Sequence, residues 1–133
     1  MQGIPHYTNS KKLHNTGAYG EQLAVEYLES QSYKIIDRNA YSRWGEIDIV
    51  SEKKNKIHFV EVKTRFHMRQ GMPYEAVRIP KLTHLMRTIQ YYILKNNLHT
   101  RKFQLDVISI ILLPDSSVKE LKLYENIAVD RFF

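Results

Sequence analysis

Two apolar strand-like runs, GEIDIV at 45–50 and KIHFVEVKT at 56–64, carry Asp48, Glu61 and Lys63 in their interiors. Nothing else in the chain restricts its fold as much, because a strand core normally excludes charge. If the runs form an antiparallel hairpin with its turn centred on Lys54 and Asn55, residue 48 falls opposite residue 61. Directly opposed strand residues have Cβ atoms about 4.5–5.5 Å apart, where two carboxylates repel each other. Strand alternation places Lys63 beside Glu61 on the same face, with Asp48. It assigns Ile47, Ile49, Val60 and Val62 to the other, apolar face. A lone Glu-x-Lys on a strand is usually an exposed salt pair. Here it lies between Phe59, Val60 and Val62, with an acid aligned across from it. One ammonium relieves part of such repulsion and a divalent cation relieves more.

The rest of the chain supplies a frame for that hairpin. Residues 1–14 are polar and aperiodic, read as a flexible tail before a single domain at 15–133. Thr16 can cap a helix through GAYGEQLAVEYLESQ. Gly17, Ala24 and Leu28 share a stripe of that helix, with Leu23 and Tyr27 beside it. Glu21 falls on the same stripe and can reach the hairpin's charged face, which would bring three carboxylates together. YKIIDRNA reads as a first strand ending in turn residues. RFHMRQGMP reads as a loop, followed by a helix from Pro73 or Tyr74 to Asn96 with a kink or break at Pro80. Leu82, Leu85, Met86, Ile89, Tyr92 and Ile93 make its apolar face. FQLDVISIILL is a fourth strand and VKELKLYENIA a fifth. The order is helix, three strands, helix, one or two strands.

Composition narrows the chemistry. Hydrophobic residues make up 43 % of the 133, enough for a core. There is no cysteine, so a metal site must use oxygen or histidine donors. The six histidines show no zinc spacing. Carboxylate oxygens suit Mg²⁺ or Mn²⁺. The net charge of +6 favours a polyanionic partner such as nucleic acid or an anionic membrane surface, or equally a solvated lysine face. No run approaches the roughly 18 apolar residues of a membrane span, and no signal peptide is evident, so a cytoplasmic protein with no membrane partner is expected.

GAYGEQLAVEYL, IIDRNAYSRWGEIDIV and FVEVKTR together resemble the YraN-like family of bacterial proteins, within the PD-(D/E)XK nuclease superfamily. YEAVRIPKL and QLDVI resemble its downstream blocks, so the likeness runs from about Gly17 to Ile108. The resemblance implies an α/β, restriction-endonuclease-like fold: a central mixed β-sheet flanked by helices, in αβββαβ order. It implies metal-dependent cleavage of DNA, in preference to RNA. Asp48 and Glu61 would be metal ligands, joined by the Val62 carbonyl, and Lys63 the catalytic lysine. Glu21 would match the helix carboxylate of archaeal Holliday-junction resolvases, which act on branched DNA as two-fold dimers; a homodimer is accordingly an option here. Ile47 stands where the motif name has proline.

Arg43, Arg65 and Lys81 are candidates for phosphate contacts, or equally for solvated surface charge. Trp44 could stack on a base, though packing is its commoner use. Asp106 reads as a hydrogen-bonded structural acid, and Tyr91 and Tyr92 as packing or interface residues. Two other functions stay open. One is a nucleic-acid-binding module without turnover, and the other is an interaction protein whose basic face binds an acidic partner.

Overall fold

The computed structural model describes residues 16–67 and 79–127. Helix α1 (Thr16–Ser30) is followed by strands β1 (Lys34–Ser42), β2 (Gly45–Lys53) and β3 (Lys56–Phe66). Helix α2 (Ile79–Lys95) then leads to β4 (Phe103–Leu112) and β5 (Val118–Tyr124). The strands form one mixed sheet in the order β1-β2-β3-β4-β5. β3 and β4 are parallel, and the other neighbours are antiparallel. This is the αβββαβ order of the restriction-endonuclease-like α/β fold, extended by β5.

Helices cover the sheet's two faces and divide the core in two. Tyr19, Leu23, Ala24 and Leu28 of α1 pack with Ile49, Val60, Ile108 and Ile110. Leu85, Met86, Ile89 and Tyr92 of α2 pack with Ile47, Val50, Phe59 and Leu105. The buried side of α1 also includes Gly20, whereas Gly17, expected on that stripe, is exposed. Gly20 is there because α1 lies almost on β3. A Cβ at Gly20 would collide with Thr64 Oγ1 and sit 3.0 Å from Thr64 Cβ. The chain therefore needs glycine one residue before Glu21.

The β2–β3 turn is Lys54–Asn55, both with positive φ (50° and 63°), the pattern of a two-residue type I′ hairpin. β1 does not end at its expected turn residues, because Asn39 is accommodated within the strand at φ 51°. The strand runs on to a tight turn at Arg43–Trp44. Gly45 follows at φ 143°, a conformation that other residues rarely adopt. In α2, Pro80 falls in the first turn, where its missing N–H leaves no bond unmade. The tail at 1–14, the loop after His67 and the expected start of α2 near Pro73 lie outside the described residues, as do the side chains of Lys81 and Leu82.

A candidate metal centre where two strands part

The hairpin register is the one its turn demands, from Lys53–Lys56 up to Ile49–Val60. There the pairing stops, one rung short of the expected Asp48–Glu61 pair. The Val62 amide donates instead to Asp48 Oδ2 at 2.8 Å. A side-chain oxygen has taken the place of a ladder carbonyl, so β2 and β3 part at this rung. In a strand the N–H and C=O of one residue point toward the same neighbour. The Val62 carbonyl is therefore directed into the same gap.

The expected faces need a correction at the same place. Ile49 packs under α1 with Val60 and Val62, but Ile47 packs under α2. The partner strand turns in step: Arg38 bonds Gln22 of α1, while Ala40 joins Ile47. Both strands lose their alternation at the rung of Asn39 and Asp48. The cause is the left-handed backbone of Asn39 on one side and the diverted carboxylate of Asp48 on the other.

This reversal collects the acids. Carboxylate oxygens of Glu21, Glu46 and Asp48 lie within 4.8 Å of one another. Asn39 donates from its amide nitrogen to Glu21 (2.9 Å) and toward Glu46 (3.4 Å), which offsets part of their repulsion. Glu61 adds its charge beside Asp48, and its carboxylate lies 3.1 Å from Lys63 Nζ. A cavity of about 270 Å³ opens onto Glu46, Asp48 and Glu61, with His84 and Thr88 of α2 and Trp44 completing the wall.

Asp48 is buried. Burial pushes its carboxyl from 3.8 up to about 8; the charge of Glu61 and, less, that of Glu21 add to the rise, while the Val62 hydrogen bond opposes it. Without a cation, burial and the neighbouring carboxylates thus favour the protonated form of Asp48. Nearby, the charge of Glu46 and then a hydrogen bond to it raise the Tyr41 phenol above 10.0.

Among the sequence candidates, Asp48, Glu61, Lys63, Glu21 and Val62 meet here. Arg65 is exposed and extends to Thr64 O at 3.3 Å. Arg43 is exposed and lies over the Trp44 ring. Asp106 is fully buried and accepts from Gln104 and from the Asn126 backbone, and it shares a 2.9 Å bond with His58 Nδ1, none of them residues of the acidic cluster. Glu46 and Asn39 were not singled out from the sequence. Glu46 lies two residues before Asp48, a spacing that could have flagged it; continued from Ile49, which packs under α1, regular alternation would instead have turned it to the α2 side of the sheet.

Residues 20–110 match the uncharacterised protein family UPF0102. The chain belongs to that family. A UPF0102 protein of Clostridium botulinum is 39 % identical over 122 residues, covering 91 % of this chain and 96 % of the relative. One from Clostridium acetobutylicum is 40 % identical over 121 residues, with the same shares covered. UPF0102 is the YraN family that the sequence blocks resemble. Its matched span includes Glu21, Asn39, Glu46, Asp48, Glu61 and Lys63.

Proposed function

We propose that this chain is a metal-dependent endonuclease that hydrolyses DNA phosphodiester bonds, with branched, Holliday-junction-like DNA as the first form to test. The observation that carries the reading is the buried Asp48 carboxyl, pushed up to about 8 by burial and by Glu61. A divalent cation competes for such a site by replacing its proton.

The donor set fits a hard cation. Oxygens sharing an octahedral Mg²⁺ or Mn²⁺ at about 2.0–2.1 Å lie roughly 3–4 Å apart. The carboxylate oxygens of Glu21, Glu46 and Asp48, within 4.8 Å of one another, stand near that spacing. Asp48, Glu61, Glu21 and Glu46 would hold the ion, with the Val62 carbonyl within the same gap. When bound, it would polarise a phosphate oxygen and lower the pKa of a coordinated water. Lys63, next to Glu61, brings a positive charge to where negative charge develops on the phosphoryl group. Asn39 keeps Glu21 and Glu46 aimed at one point. Arg43 and Arg65, both exposed, suit contacts to the phosphates on either side.

A second reading, a nucleic-acid-binding module without turnover, is favoured by the cationic and aromatic surface at Arg43 and Trp44. One experiment separates them. Labelled linear, flap and four-way DNA are incubated with the protein and Mg²⁺ or Mn²⁺, alongside Asp48→Ala, Glu61→Ala and Lys63→Ala. Cleavage lost in each variant supports the nuclease. Cleavage that survives in all three refutes the site, and binding without cleavage of any substrate favours the module.

A further inference from the structure

Trp44 walls two cavities. One is the acidic cavity above. The other, of about 350 Å³, is lined by Trp44, Arg87, Gln90, Tyr91 and Leu94 and contains no acidic side chain. We propose that this second cavity binds an unpaired nucleobase of the strand whose phosphate enters the acidic cavity.

The aromatic platform is built in advance. Trp44 occupies the second position of the Arg43–Trp44 turn, and its backbone N–H donates to Ser42 Oγ at 3.0 Å. Ser42 Oγ in turn bonds Thr88 Oγ1 of α2 at 2.8 Å. The turn is thereby tied to the helix that carries Tyr91. The Trp44 and Tyr91 rings meet at a 6.4 Å centroid distance and 63°, edge to face and not stacked in parallel. Tyr91 and Leu94 are 41 % and 74 % exposed. Single exposed apolar side chains need no explanation, but here two line one cavity beside the half-buried Trp44.

Charge identifies the occupant. The Arg43 guanidinium sits 5.2 Å from the Trp44 ring centroid, and Lys95 Nζ 5.8 Å from that of Tyr91. With Arg87 in the wall, three cations surround the aromatic pair. A planar ring that brings phosphates satisfies both features, whereas an apolar peptide would satisfy only the rings. Gln90 offers an amide donor and acceptor to a base edge. A base stacked within a duplex cannot expose its face, so the substrate class is DNA with an unpaired nucleotide next to the attacked phosphate: a flap, a single strand or the opened centre of a junction. This deepens the nuclease reading and rests on it for where the strand goes next, while base binding is measurable without any cleavage.

Trp44 is the one tryptophan in the sequence, so its fluorescence reports on this cavity. Full-length protein is titrated, with EDTA present, with a short single-stranded oligonucleotide, an abasic oligomer of equal length and a blunt duplex. The expected result is quenching of Trp44 and at least about tenfold tighter binding of the base-bearing single strand. Tyr91→Leu, which keeps an apolar side chain and removes the ring, weakens that binding by about 5- to 100-fold. Anisotropy of labelled oligonucleotide extends the test to Trp44→Ala, expected to weaken, and Trp44→Phe, expected to retain most of the affinity. Equal affinity for the abasic oligomer, or equal quenching by blunt duplex, overturns the proposal. Base-dependent quenching in a protein that cleaves nothing would leave this pocket standing and remove the nuclease reading. Cleavage combined with base-independent binding would do the reverse.

Discussion

Replacing Asp48 by asparagine removes an ionisable group from a buried place and keeps its shape. The Asn Oδ1 can still accept from the Val62 amide, the bond that parts the two strands. In the wild type the Asp48 carboxyl titrates at about 8 in the folded state against 3.8 ordinarily. The folded protein therefore binds more protons than the unfolded chain between those values, and its stability falls as pH rises through that window. At about 1.36 kcal/mol per pH unit, the gap of roughly four units sets a ceiling near 5 kcal/mol. Asp48→Asn should match the wild type near pH 4 and exceed it by about 2–5 kcal/mol near pH 9 in EDTA. For a chain of this size that is on the order of 3–5 °C in Tm per kcal/mol. Urea unfolding followed by circular dichroism at a series of pH values measures it. Saturating Mn²⁺ near pH 8 should restore the wild type by about 2.7 kcal/mol at one hundred times its dissociation constant and leave the variant unmoved. Parallel pH profiles for the two proteins would refute the claim that burial and opposed carboxylates strain this site.

Three further substitutions test the frame around it. Asn39→Gly keeps the left-handed backbone and deletes the amide between Glu21 and Glu46; Mn²⁺ binding by calorimetry should weaken about 10- to 100-fold with little change in unfolding, and unchanged affinity would remove Asn39 from the site. Gly20→Ala forces α1 off Thr64 and should cost about 1–3 kcal/mol in denaturant unfolding, partly recovered by adding Thr64→Ala; a neutral effect would mean that the helix does not lie this close. Asp106→Ala orphans His58, Gln104 and the Asn126 amide, and should destabilise by about 2–5 kcal/mol while metal affinity stays unchanged; lost metal binding at full stability would make Asp106 part of the centre instead.

Much of the architecture was legible in one dimension because it follows from local periodicity. Alternation in 45–50 and 56–64, with Lys54 and Asn55 between them, suffices for the hairpin and its register up to Ile49–Val60. Helical spacing in α2 brings Leu85, Met86, Ile89 and Tyr92 to one side, and all four are buried. The apolar run of β4 marks a strand covered on both faces: Ile108 and Ile110 lie in the core under α1 and Leu105 in the core under α2.

The sequence by itself determined which chemistry is available: Asp48, Glu61 and Lys63 in the hairpin, a carboxylate on the first helix, and oxygen donors with no thiol. Only the tertiary structure decided which of these groups meet. Glu46 joins Glu21 because Asn39 and Asp48 reverse the alternation of two strands at one rung, and that reversal rests on a side chain bonding a backbone amide 14 residues away. Gly20 matters because of Thr64, and Trp44 because of Thr88 and Tyr91, partners that lie 44 to 47 positions further along. Periodicity reports on neighbours one turn or two residues off. Contacts across such distances depend on how the helices settle on the sheet, which no local pattern encodes.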